Sequence, residues 1–100
     1  MKYGLAESDF DQILGVFRKF PTVQSVVLFG SRAIGNYKQG SDVDLALKGK
    51  TNPSLANQIG GILNEETNLP YFFDVVDYHS IERKEFLEHI HKHGIEIYRK

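Results

Sequence analysis

No cysteine occurs among the 100 residues, so disulfides, thiolate zinc centres and a cysteine nucleophile are excluded. Four histidines are left as soft-metal ligands. An excess of positive charge is missing too: 12 Lys and Arg stand against 13 Asp and Glu, a formal net charge of −1. A dedicated nucleic-acid binder normally shows a basic face, so direct nucleic-acid binding is not expected. No apolar run approaches the roughly 20 residues of a membrane span, and the opening MKYGLAESD lacks the apolar stretch of a signal peptide. The one Asn-x-Ser match, Asn52-Pro53-Ser54, carries the disqualifying proline. A cytoplasmic protein without membrane contact is expected. Familiar phosphate loops are absent as well. Gly30 and Gly35 have the spacing of a Walker loop, but Asn36-Tyr37 follow where Lys and Ser/Thr are required, and there is no Gly-x-Gly-x-x-Gly turn.

What remains is a chain of single-domain size, residues 1–100, with 41% apolar and 12% aromatic residues. A domain this small buries only about 65% of the surface its unfolded chain exposes. Phe10, Ile13, Leu14 and Phe17 follow the i, i+3, i+4, i+7 pattern of an amphipathic helix, with Ser8 as its expected cap and Pro21 beyond its end. Ser25 to Phe29 is apolar without alternation, which predicts a strand covered on both faces. A second strand is expected over 42–48. Asn52-Pro53 predicts a helix start, and the stripe Leu55, Ile59, Ile62, Leu63 continues it. Gly60-Gly61 interrupts that stripe, through either close helix-to-sheet packing or a helix break. A third strand over 72–76, a helix over about 80–92 stopped by Gly94, and a short edge strand over 95–98 complete the order. That order specifies an α/β or α+β domain with one small sheet.

The chemistry concentrates in the second strand. Alternation sends Val43, Leu45 and Leu47 to one face and Asp42, Asp44, Ala46 and Lys48 to the other. Two carboxylates about 7 Å apart on one face repel each other unless a cation lies between them. Hard oxygen ligands of this kind suit Mg²⁺. Asp-x-Asp alone also describes an ordinary solvent-facing strand. The preceding turn adds information: a buried strand runs into Gly30-Ser31-Arg32. Gly30 permits close backbone approach, exposed N–H groups after such a turn bind phosphate oxygens, and Arg32 either meets phosphate or locks the turn. A third acid is offered by Asp74 or Asp77. Asp77 lies where a turn needs a cap, which makes Asp74 the better ligand candidate, but parity does not say whether Asp74 shares the face of Asp42 and Asp44.

Leu28-Phe29-Gly30-Ser31-Arg32-Ala33, Gly35, Gly40-Ser41-Asp42-Val43-Asp44-Leu45 and Phe73-Asp74-Val75-Val76-Asp77 together resemble the signature of the minimal nucleotidyltransferases of the DNA polymerase β-like superfamily. The resemblance extends to Gly94-Ile95-Glu96-Ile97-Tyr98 and so covers nearly the whole chain. It implies the nucleotidyltransferase fold: a small mixed sheet, helices mainly on one face, and acids on the open face. It implies Asp42, Asp44 and Asp74 as catalytic metal ligands for two Mg²⁺ ions, with Asp74 helping to activate the acceptor hydroxyl. Gly30, Ser31, Arg32 and Ser41 would bind the nucleoside triphosphate. Ile34 stands where many members carry a basic residue, and Lys38 or Lys48 would supply that charge instead.

The reaction so implied is attack of a hydroxyl on the α-phosphorus of ATP. A chain this short leaves little room for an acceptor-binding domain, so another molecule is expected to bring the hydroxyl. Relatives of this kind pair with a HEPN-type RNase toxin in a hetero-oligomer and transfer AMP to its tyrosine, acting as antitoxin. The rivals are a non-catalytic module that neutralises a partner by occlusion, and transfer to a small-molecule hydroxyl. His89, His91 and His93 are expected not to share a helical face, and no i, i+4 zinc pair is expected. For Tyr37, Tyr71 and Tyr78 packing is expected before base stacking.

Overall fold

The computed structural model describes all residues, Met1–Lys100. In chain order the elements are α1 (Glu7–Arg18), β1 (Val23–Phe29), α2 (Ser31–Ile34), β2 (Val43–Gly49), α3 (Pro53–Glu65), β3 (Phe73–Asp77), a 3₁₀ turn (Tyr78–Ser80), α4 (Lys84–His93) and β4 (Ile95–Arg99). The α1 start corrects the sequence expectation. Ser8 lies inside the helix and Ala6 occupies the cap position, because the Asp9 carboxylate reaches back to accept the Ala6 N–H at 3.0 Å. That interaction is the acidic half of a capping box, and it satisfies a donor the helix itself leaves free. At α3 the expectation holds: the Asn52 Oδ1 accepts the Leu55 N–H at 2.8 Å, and Pro53 opens the helix.

The four strands form one mixed sheet in the order β3-β2-β1-β4. β1 runs antiparallel to β2 and β4, whereas β2 and β3 run parallel. A parallel pair needs a crossover, which α3 supplies. On one face Val26, Leu28, Val43, Leu45, Leu47, Phe73 and Val75 form the main core with Ile13, Val16 and Phe17 of α1 and Ala56, Ile59 and Leu63 of α3. The second face also has a cover. Val27, Phe29 and Ala46 pack with Ile90 of α4, flanked by Val76, Tyr78, Ile81 and Phe86. Helices thus lie mainly on one face, that of α1 and α3, as expected, and α4 covers part of the other. The cause is β1, which carries apolar residues on both sides and needs both buried, as its lack of alternation requires.

Boundaries shift by small amounts. β1 begins two residues earlier than predicted, β2 and β3 each begin and end one later, and α4 starts at Lys84 because residues 78–80 form the 3₁₀ turn. Gly94 ends α4 with its N–H donating to the Ile90 carbonyl at 2.8 Å. Its φ of −63° is ordinary. Glycine is needed there for space, since a Cβ would sit 2.6 Å from Val27 Cγ1. No helix is long and apolar enough to cross a membrane.

The Gly60-Gly61 pair does not break α3. Gly60 is buried against Val75, where an added Cβ would make ordinary contact at 3.6 Å, and a Cβ on Gly61 would meet nothing within 4 Å. Gly60 thus packs against the sheet without a contact that requires glycine, and nothing in the structure explains Gly61. Replacing Gly61 by Ala should raise stability by about 0.5–1 kcal/mol through helix propensity. A urea titration reads this as a higher midpoint at unchanged slope.

Candidate active site

The end of β1 sets the geometry. Gly30 adopts φ +76° and ψ −157°, a region essentially closed to other residues. A Cβ at this position would collide with the Asp44 carboxylate, so the turn and the acid are packed together. The Ala33 and Ile34 N–H groups return to the Gly30 carbonyl, both at 3.1 Å. Those of Ser31 and Arg32, at the start of a helix, have no intrahelical acceptor. No side-chain hydrogen bond engages the Ser31 hydroxyl.

Across the sheet, Asp44 stands opposite Phe29 on β1 and opposite Asp74 on β3. Residues directly opposite in register share a face, so the question parity left open is answered: Asp74 lies on the side of Asp44. Asp42 immediately precedes β2 and continues its alternation, as the Val43 N–H donating to the Phe72 carbonyl at 2.9 Å extends the pairing. Three acids and the Gly30 turn therefore form a row, Asp74, Asp42/Asp44, Gly30. None of these carboxylates has a side-chain hydrogen bond or ion pair. The chain's one ion pair, Arg99 with Glu96 at 2.6 Å, lies elsewhere.

Electrostatics sets the acids apart. Burial, reinforced by Asp74 and then Asp42, pushes the Asp44 carboxyl up from 3.8 to about 6, against a smaller lowering pull from Arg32. Asp77 behaves differently. It is buried and accepts hydrogen bonds from Thr51 Oγ1 and Ser80 Oγ (both 2.6 Å); burial pushes its carboxyl up, but those bonds together with the backbone and charge of His79 hold it below its ordinary value. Its structural role as a turn anchor matches expectation. No three His, Asp or Glu side chains converge into a preformed metal cage.

Arg32 is only 1% exposed. Its Nε and Nη2 donate to the Ser41 carbonyl at 3.2 and 2.7 Å, and Nη1 donates to the Tyr3 carbonyl at 2.9 Å. The guanidinium also lies 5.4 Å from the Tyr37 ring centre and 5.0 Å from that of Tyr71. Of its two expected parts, locking the turn is the one its contacts serve, and it does so through carbonyls rather than a carboxylate. Ser41 is likewise occupied, its Oγ accepting the Lys38 N–H at 2.8 Å. Tyr71 donates to Asp9 at 2.7 Å. Lys48 lies over the Tyr78 ring at 4.4 Å, at the other end of β2, away from the turn.

One residue escaped the sequence reading. His89 of α4 accepts the Gly30 N–H on its Nε2 at 3.1 Å, linking positions 59 apart in sequence. His89 and His93, four residues apart, do share a side of α4, with ring centres 5.3 Å apart, which corrects the expectation for the trio. His91 instead meets Tyr78. No local signal marks His89, since only the docking of α4 on β1 brings it to the turn. A cavity of about 420 Å³ lined by Tyr3, Phe10, Leu14 and Ile97 contains none of the acids.

A carboxyl whose folded pKa exceeds its unfolded value binds its proton more tightly in the fold. Its contribution to stability is then lost as pH rises from about 4 through about 6. Asp44→Asn should therefore be more stable than the parent at pH 7 without divalent cations, by about 1 kcal/mol after allowing for solvent screening. The advantage should vanish towards pH 4. Urea unfolding across that range checks it, and a pH-independent difference would contradict the assigned cause. Gly30→Ala should cost about 1–3 kcal/mol from its backbone angles alone, read in the same assay.

Residues 11–100 match the family model described as polymerase beta, nucleotidyltransferase. No match was found among curated proteins. Among solved structures, a chain of a toxin–antitoxin complex with AMP-PNP is similar over 92% of this chain and 74% of its own, at 21% identity and a TM-score of 0.75. The MntA-HepT toxin–antitoxin is similar over 95% and 74%, at 18% identity and a TM-score of 0.70. An MNT antitoxin complex with a tri-AMPylated HEPN toxin from Shewanella oneidensis is similar over 91% and 70%, at 19% and 0.68. At these identities the likeness speaks for the fold, and the family match extends over nine-tenths of the sequence. With the Gly-Ser turn and the strand acids on one face, the chain belongs to the polymerase beta-type nucleotidyltransferases.

Proposed function

We propose that this domain moves AMP from ATP, with Mg²⁺, to a tyrosine hydroxyl of a HEPN-type helical partner and so acts as that partner's antitoxin. The observation that carries the proposal is the row of three unpartnered carboxylates beside the Gly30 turn, on the open half of the sheet. Family membership supports nucleotidyl transfer. Among its structural neighbours, one complex holds AMP-PNP and another an AMPylated HEPN toxin, which supports the nucleotide and the partner.

The residues fit magnesium. Burial and then the charges of Asp74 and Asp42 raise Asp44, an imbalance a cation relieves, and the exposed carboxylates of Asp42 and Asp74 leave positions for phosphate oxygens. Held by Asp42, Asp44 and Asp74, two such ions would neutralise triphosphate charge and make the acceptor hydroxyl more acidic.

The chain's own groups have distinct tasks. The free N–H groups of Ser31 and Arg32, with the Ser31 hydroxyl, hold the triphosphate, and Gly30 lets it approach the turn closely. Arg32 and the Ser41 carbonyl keep that turn and the Asp42 segment in place. Asp74 receives the proton of the attacking hydroxyl. The acceptor oxygen then bonds to the α-phosphorus, the bond from that phosphorus to the α–β bridging oxygen breaks, and pyrophosphate departs with the electron pair. Most of the acceleration then comes from positioning and fixed charge.

Incubating the protein with a HEPN-type partner, ATP and Mg²⁺ should add the mass of AMP to a partner tyrosine. Asp42→Asn, Asp44→Asn and Asp74→Asn should each slow transfer by at least about a hundredfold, the scale of losing one preorganised electrostatic group. An unmodified partner that is still inhibited by the Asp42→Asn/Asp44→Asn double variant would establish occlusion instead.

A further inference from the structure

We infer that Phe72 is the acceptor-specificity residue of the site: its exposed ring forms the platform on which an aromatic acceptor, a tyrosine side chain, rests before transfer. The inference rests on the transfer reading above and adds to it the residue that tells a phenolic hydroxyl from an aliphatic one.

Phe72 is 59% exposed. A solitary exposed apolar residue needs no explanation, but this one has a specific address. It continues the alternation of β3, so Phe72, Asp74 and Val76 share a face. Val76 is packed under the α4 layer, leaving Phe72 and Asp74 on the open half. Phe72 is also the in-register neighbour of Asp42, one step before the Val43–Phe73 pair. Phe29, opposite Asp44, is buried, so Phe72 is the exposed apolar side chain beside the acids.

Its side of the sheet decides what it meets. In-line displacement puts the attacking oxygen opposite the leaving group. With the phosphate turn at the end of β1, pyrophosphate leaves towards β1. The sheet order β3-β2-β1 then places the attacking oxygen over β3, the strand of Asp74 and Phe72.

The backbone is held while the ring is left free. On one side Tyr71 is tied to Asp9 at 2.7 Å. On the other, the Asn64 side chain accepts the Phe73 N–H at 2.7 Å and donates to the Phe73 carbonyl at 2.9 Å. A rigidly mounted, solvent-facing ring costs little ordering on contact. A phenol ring packs on it at roughly 4.5–7 Å between ring centres, and a serine or threonine side chain has no ring to offer.

The test uses two short acetylated peptides, Gly-Tyr-Gly and Gly-Ser-Gly, as acceptors with ATP and Mg²⁺, with AMP addition read by mass spectrometry. The parent chain should favour the tyrosine peptide in kcat/KM. Phe72→Ala and Phe72→Leu should each cut that preference by roughly tenfold, and Phe72→Trp should keep it. AMP-PNP affinity should change less than twofold in all three, with unaltered circular dichroism. Equal losses on both peptides, an unchanged preference, or weakened AMP-PNP binding in Phe72→Ala would each overturn the inference. Binding of Mg²⁺ and AMP-PNP without transfer to the tyrosine peptide would overturn it too. Failure of the parent chain to bind AMP-PNP at all would instead bring down the transfer reading beneath it.

Discussion

The parallel pairing of β2 with β3 is the constraint on which the site depends. Its register sets Asp44 against Asp74, and the same register buries Phe73 and Val75 in the main core beside Val43 and Leu45. A slip of one residue would turn Phe73 and Val75 out to solvent and drive Asp74 among the side chains of α3. Apolar burial therefore enforces the placement of the acids, although the acids themselves resist it. Asn64 of the crossover helix reinforces the register by clamping both backbone groups of Phe73.

The acid row is unfavourable on its own terms, since burial and then the charges of Asp74 and Asp42 raise the Asp44 carboxyl. Nearly complete burial of Arg32 moderates this. Its charge lowers the Asp44 carboxyl without a direct contact, while its donors are spent on the Tyr3 and Ser41 carbonyls. That arrangement leaves the carboxylates free, where a direct ion pair would occupy them. The same side chain ties together the N-terminal segment, the turn after β1 and the approach to Asp42, and it stacks near Tyr71 at the approach to Phe72. One buried cation thus positions segments that are distant in sequence. Functional sites commonly retain such unfavourable local terms because the surrounding fold over-determines them.

Covering both faces of β1 has a consequence for the site. Docking α4 onto Val27, Phe29 and Ala46 closes half of the acid face and brings His89 onto the Gly30 N–H. The remaining half is open ground rather than a deep pocket. A surface of that kind is accessible to a polar ligand from the solvent side.

Much of this was legible in the chain. The lack of alternation in Val26-Val27-Leu28-Phe29 specified a strand covered twice, because every residue there needs burial. The alternation of Val43, Leu45 and Leu47 specified which side of the strand Asp44 occupies, and Asn52-Pro53 specified the start of α3 through a local cap. Asp77 was legible as a structural acid from its place at a strand end. These features depend on period, propensity and nearest neighbours, which a linear sequence carries. The face of Asp74, the role of Arg32, the contact of His89 and the exposure of Phe72 were not legible. Each depends on which strand pairs with which, and in what register, or on which helix docks where. Those choices are made by burial of the whole apolar set at once, and no local window of sequence contains them.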